Sequence, residues 1–291
     1  MSTIYIDLSD DFSFGHTIRS HGWYDLKPFE FDAEKGTLGY TFAENDAAVM
    51  VVIKEDGRRL RVDWKGTIDA YRLSHAVRHL LRLDENFERF YDALRKEGRV
   101  EWVVEKKAGR LLRSPTVFED LVKTICTTNC SWSATRKMIE NLVGELGVSS
   151  ADGARAFPTV EAMASMPEVF YRDVMRAGYR SACFVELAGS VASGELDPES
   201  WLTSELPTEE LKKEMKRVKG VGDYAAENLL KLVGRYDGLA LDSWLRAQFY
   251  KKHNGGTRCP DKRIEEHYRP FGAFKGLAIW CDMTEDWFGS Q

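Results

Sequence analysis

This 291-residue chain has few cysteines, no excess of positive charge and no long hydrophobic run, and each of these excludes something. The five cysteines (Cys126, Cys130, Cys183, Cys259 and Cys281) are odd in number and scattered, which argues against a disulfide framework and for a reducing compartment. A structural zinc or an iron-sulfur cluster needs four ligands at short paired spacings. Cys126 and Cys130 form one such pair, but Cys259 and Cys281 are too far apart in sequence to form the second, so neither metal nor cluster is expected. A net charge of -5 and a pI near 5.8 lack the global basic footprint of a polyanion binder, so any such contact must be local. No window reaches the ~18 apolar residues of a membrane span. Residues 1–10 show neither a basic stretch nor an apolar leader core, and the expectation is a cytoplasmic protein, at the nucleoid in a bacterium.

What is present is enough apolar residue to build a core: 43% hydrophobic and 12% aromatic, with eight tryptophans, more rings than packing alone usually takes. Ile4 to Leu8, Leu38 to Phe42, Ala47 to Lys54 and Arg59 to Trp64 are short β-rich runs divided by turn residues such as Glu55-Asp56-Gly57, which predicts an antiparallel sheet. From Ile68 the period becomes helical. Helices are predicted at 115–128, 132–146, 160–165, 169–177, 182–193, 208–218, 223–235, 242–252 and 264–282. The predicted fold class is α+β, an N-terminal antiparallel β-sheet module (residues 1–82) followed by a mainly helical domain (83–291) with a hairpin at 219–223.

That hairpin carries the most information. In LKKEMKRVKGVGDYAAENLLKLVGRYDGLA, residues 211–240, two helices meet at Gly220-Val221-Gly222. Glycines there let main-chain N–H groups at the second helix's N-terminus approach a phosphate, and Lys212, Lys213, Lys216, Arg217 and Lys219 supply a local positive field. Taken alone, the glycines more often make an ordinary helix C-cap, with the lysines a solvated face. After the turn at Tyr236-Asp237-Gly238, the run Leu241-Asp242-Ser243-Trp244-Leu245 puts an acid at the start of another helix, where an aspartate commonly caps.

Hairpin and aspartate at this spacing resemble the helix-hairpin-helix, Gly/Pro-rich loop and aspartate (HhH-GPD) superfamily of DNA glycosylases, although the loop has Gly238 and no proline before Asp242. Three more stretches agree in order. Arg110-Leu111-Leu112-Arg113 with Phe118 to Cys126 and Thr127-Thr128-Asn129 is similar to the 8-oxoguanine DNA glycosylase segment that ends in the loop filling the vacated base stack. Gly178-Tyr179-Arg180 is similar to that family's Gly-Tyr-Arg turn, and Tyr268-Arg269-Pro270-Phe271-Gly272 to Trp280 resembles the superfamily's last helix. The resemblance implies that Asp242 is the catalytic carboxylate and that Lys219, Gly220, Val221 and Gly222 bind phosphate. It implies that Asn129 enters the duplex, that Arg180 faces the orphaned base, and that Trp280 stacks on the extruded one.

Bifunctional members add a lysine two residues past the second glycine, a position that is Tyr224 here; Lys219 precedes the hairpin and Lys231 lies two turns further on. The implied reaction is hydrolysis without strand cleavage. The aromatic Tyr224 and Trp280 resemble alkylpurine enzymes, with Asn228, Trp244 and Trp132 as further pocket residues, and Gly22 matching a glycine of the 8-oxoguanine enzymes. An alkylated or otherwise weakened purine ranks first as substrate, 8-oxoguanine second and a modified pyrimidine third. No cofactor is required, a monovalent or divalent cation at the hairpin carbonyls being compatible; the partner is double-stranded DNA, and a monomer is expected. The competing classes are a non-catalytic helix-hairpin-helix DNA-binding protein, which has no need of Asp242 beside an anionic backbone, and a helical protein-interaction module.

Overall fold

A computed structural model describes residues 1–45 and 47–288. Five strands, β1 (Ser2–Asp7), β2 (Phe29–Asp32), β3 (Thr37–Glu44), β4 (Ala47–Asp56) and β5 (Arg59–Trp64), form one antiparallel sheet in the order β1-β5-β4-β3-β2. Alternation explains its face: Val49, Val51 and Ile53 of β4 are buried, as are Leu60 and Val62 of β5. Sequence patterning missed β2, whose four residues are too few to display a period.

The helices are α1 (Phe14–Ile18), α2 (Ala70–Leu80), α3 (Glu88–Glu97), α4 (Trp102–Glu105), α5 (Val117–Thr127), α6 (Trp132–Leu146), α7 (Val160–Ala164), α8 (Ser181–Ala192), α9 (Thr208–Met215), α10 (Asp223–Leu232), α11 (Ser243–His253), α12 (Asp261–Tyr268) and α13 (Lys275–Thr284). Two expectations need correction. The helix expected over 169–177 is a π-helical turn at Phe170–Val174, and the one expected over 264–282 is broken into α12 and α13. Pro270 has no N–H to donate, and Gly272 adopts φ 55°, ψ -123°, outside the helical region.

The packing runs across residue 82 rather than stopping there. One apolar cluster joins the sheet to α2, α5, α6 and α8 to α10; a second joins α3 and α4 to α11, α12 and α13. The seam between sheet and α5 is polar. Tyr40 Oη donates to Glu119 Oε2 (2.6 Å), Lys123 Nζ lies 2.6 Å from Glu119 Oε1, and Trp23 Nε1 donates to Asp120 Oδ1 (2.6 Å). Burial raises the Asp120 carboxyl to about 6, against the hydrogen bonds that hold it. This buried polar network specifies one docking of the sheet, and it fixes Trp23 at the edge of the cavity described next.

Candidate active site

Between the two clusters lies a cavity of 1060 Å³. α10 supplies one wall because Tyr224, Asn228 and Lys231 fall at i, i+4 and i+7, on one helical face. Gly222 begins that helix with no side chain capping it, so the first-turn N–H groups are left for a ligand. Gly220, at φ +92°, takes a conformation natural only to glycine, and a Cβ there would stand 3.2 Å from Cys183 Sγ.

The field around this hairpin is weaker than the lysine count implies. Lys212 pairs with Glu227 (2.6 Å), Lys213 with Glu210 (2.7 Å), Lys216 with Asp223 (2.9 Å) and Lys219 with Glu186 (2.9 Å). Carboxylates distant in sequence or one helical turn away neutralise the charge that a linear reading assigns to phosphate.

Asp242 is the N-cap of α11. Its Oδ1 accepts from Leu245 N–H (2.7 Å), which leaves Oδ2 for the cavity that the residue lines. Two contacts fix the loop that delivers it. Ala240, at φ +50°, donates its N–H to Glu227 Oε2, which supports a backbone conformation costly for a residue with a Cβ. Gly276, near the start of α13, donates to Tyr236 O (2.7 Å), and a Cβ on it would stand 1.8 Å from Gly238 O. That close approach sets Trp280, one turn further along α13, in the cavity wall that Asp242 also lines.

Trp280, Trp244 and Trp287 form an aromatic cluster with centroids 5.6 to 6.1 Å apart, and Trp280 Nε1 donates to Ser20 O (2.9 Å). Trp132 lies against Gly22, where a Cβ would come within 2.4 Å of the ring. The Tyr224 phenol is raised, first by burial and then by the Asp242 charge, against a hydrogen bond with Thr127. Asn228 ties its amide nitrogen to Tyr224 O (2.8 Å).

Asn129 stands at the cavity rim in a left-handed conformation (φ +47°), exposed, its Nδ2 3.5 Å from Tyr179 Oη. Arg180, which the resemblance implies faces the orphaned base, is buried in this structure. It is 6% exposed, lies beneath the 68% exposed Tyr179 ring (4.4 Å), and donates through Nε to Ile125 O (3.2 Å) and Thr128 Oγ1 (3.1 Å). Its guanidinium buttresses the Asn129 loop, because the carbonyls at the end of α5 need donors. Tyr179 is the exposed side chain of the turn.

Lys231 was set aside by sequence position. It is 3% exposed, and its Nζ lies 5.5 Å from the Trp280 ring centroid with no hydrogen-bond partner among the described residues. Burial lowers its pKa to about 8, opposed by the Glu227 and Asp242 carboxylates. Its backbone is pinned by Arg82, whose Nη2 donates to Lys231 O (2.7 Å) and Leu232 O (2.6 Å), closing the C-terminus of α10. A lysine at i+7 from Tyr224, on the helical face that Tyr224 and Asn228 present to the cavity, is the signal that would have found it. Elsewhere, His253, His267 and Asp282 place potential metal-ligand atoms within 4.8 Å of one another. Lys252 and Tyr268 already engage Asp282, and Arg99 donates to His267 Nε2 (2.9 Å), so cations hold this cluster.

No protein-family model matches the sequence, and no curated relative does. Solved structures match over nearly the whole chain. MBOgg1, solved with a low-affinity DNA ligand, is similar at TM-score 0.79 and 19% identity, covering 100% of this chain and 97% of that one. The 3-methyladenine DNA-glycosylase from Archaeoglobus fulgidus is similar at 0.77 and 20% (99% and 100%), and the Clostridium acetobutylicum 8-oxoguanine glycosylase/lyase at 0.77 and 18% (97% and 95%). From sheet to last helix, this chain has the fold of these DNA glycosylases.

Proposed function

We propose that this chain is a monofunctional DNA glycosylase that turns a damaged nucleotide out of duplex DNA and hydrolyses its N-glycosidic bond. The observation that carries the reading is Asp242 in the wall of a tryptophan-lined cavity, with one carboxylate oxygen held by a helix N-terminus. Bond cleavage builds positive charge on the sugar. A fixed carboxylate stabilises that charge and then takes the proton of the attacking water. The uncapped start of α10 suits a phosphate, and Asn129 on its exposed loop suits the gap left in the base stack.

Hydrolysis rather than strand cleavage follows from Tyr224 standing where bifunctional enzymes carry lysine. Lys231 is seven residues further along α10, ~10 Å at 1.5 Å per residue, and lies over the ring expected to stack on the base. Asp242→Asn retains a competent N-cap. That variant should lose base release while keeping duplex binding, and unchanged release would overturn the assignment. Borohydride reduction during turnover should trap no protein-DNA adduct; a covalent adduct would refute the monofunctional reading.

A further inference from the structure

A buried ammonium without a hydrogen-bond partner is costly to keep, and Lys231 places one on the cavity wall, over the Trp280 ring at 5.5 Å from its centroid. None of the charged or titratable groups around it makes a hydrogen bond to it. On its own helix Glu227 bonds Lys212 and Ala240 N–H; across the cavity Asp242 caps α11. Cys281 of α13 is a thiol raised to about 12 by burial, His21 is lowered to about 4 and engages Leu112 O (2.6 Å), and the Arg82 guanidinium faces main-chain carbonyls.

We propose that Lys231 reads the extruded base, donating a hydrogen bond to a carbonyl oxygen on the edge of a neutral purine stacked on Trp280. The substrate class is thereby a neutral purine with an edge carbonyl, which among damaged purines means an oxidised or deaminated one, and a cationic N-alkylated purine is rejected because it would bring a second positive charge against the ammonium. This rests on the glycosylase reading above and reverses the preference for alkylpurines that the aromatic residues alone imply. In the reaction the C1′–N9 bond breaks with its electron pair on the base, where the hydrogen-bonded ammonium stabilises the charge. Water adds to C1′, its proton passes to Asp242, and the departing base takes a proton from solvent. Because the Lys231 charge is lost above a pH of about 8, release of a carbonyl purine should decline on that alkaline side.

The test measures kcat/KM for base release by the full chain from duplexes carrying a single 8-oxoguanine, hypoxanthine, N7-methylguanine or 1,N6-ethenoadenine. The first two distinguish oxidised from deaminated sources. The third is cationic, and the fourth is neutral without a carbonyl. The native protein should act best on one of the first two. Lys231→Met should slow that release about 10- to 100-fold, the range for losing a hydrogen bond to a charged group, without slowing N7-methylguanine release. Lys231→Arg, which keeps the charge and does not titrate, should retain carbonyl-purine release and lose the alkaline decline. Equal carbonyl-purine release by native protein and Lys231→Met, or a native preference for N7-methylguanine, would overturn the proposal while leaving the glycosylase reading intact. Failure of the native protein to release any of the four bases counts against both.

Discussion

Replacing Lys231 by methionine keeps an unbranched chain of similar length at this buried position of α10 and removes the charge. Its pKa falls from 10.5 to about 8 inside the protein, chiefly through burial. At about 1.36 kcal/mol per pH unit, holding the ammonium there destabilises the fold by roughly 3 kcal/mol. Between pH 8 and 10.5 the unfolded chain binds this proton and the folded one does not, so the native protein gains stability as pH rises through that window. Below pH 8 both states are protonated and the penalty is constant; above 10.5 it is gone. Lys231→Met should therefore be more stable than the native protein at pH 7, with Tm higher by roughly 5–10 °C for a chain of this size. The gap should narrow at pH 9.5. Thermal melts of both proteins at the two pH values supply the comparison. A gap that does not change with pH, or a variant that melts lower at pH 7, would refute the reasoning. Stability gained together with loss of base release would be the ordinary exchange at a site built for binding.

Gly276→Ala inserts a methyl group 1.8 Å from Gly238 O, and backbone on both sides cannot move aside as a side chain would. Stability should drop by about 3 kcal/mol or more, with base release lost because Asp242 and Trp280 separate; melting unchanged from native would show the contact to be relaxed. Glu186→Gln frees Lys219 from its exposed ion pair. Duplex DNA should then bind more tightly, with the log–log salt slope steeper by ~0.9 for one more phosphate contact, and an identical slope in both proteins would remove Lys219 from the interface.

Much of the helical half was legible because helix periodicity is a local property. α6 begins at Trp132 and ends at Leu146 as the apolar spacing predicts, and Asp242 is both the expected acid and the N-cap of α11. The misses have particular causes. β2 is too short to show alternation, and the apolar spacing that reads as one helix over 264–282 continues straight through Gly272, whose positive φ breaks it. The motif implies a role for Arg180 at the orphaned base but does not show its burial, which follows from its bonds to Ile125 O and Thr128 Oγ1 and leaves Tyr179 as the exposed side chain.

By itself the sequence determined the order of elements, the glycine hairpin, the aspartate at a helix start and the absence of a lysine at position 224. These depend on residues a few positions apart, where periodicity and backbone freedom act. Only the tertiary structure decided which charges are free. Glu186 neutralises Lys219 across 33 residues, whereas Lys231 is left buried and unpartnered beside a tryptophan 49 residues away. The energy of a charge is set by what surrounds it, and its surroundings come from distant parts of the chain.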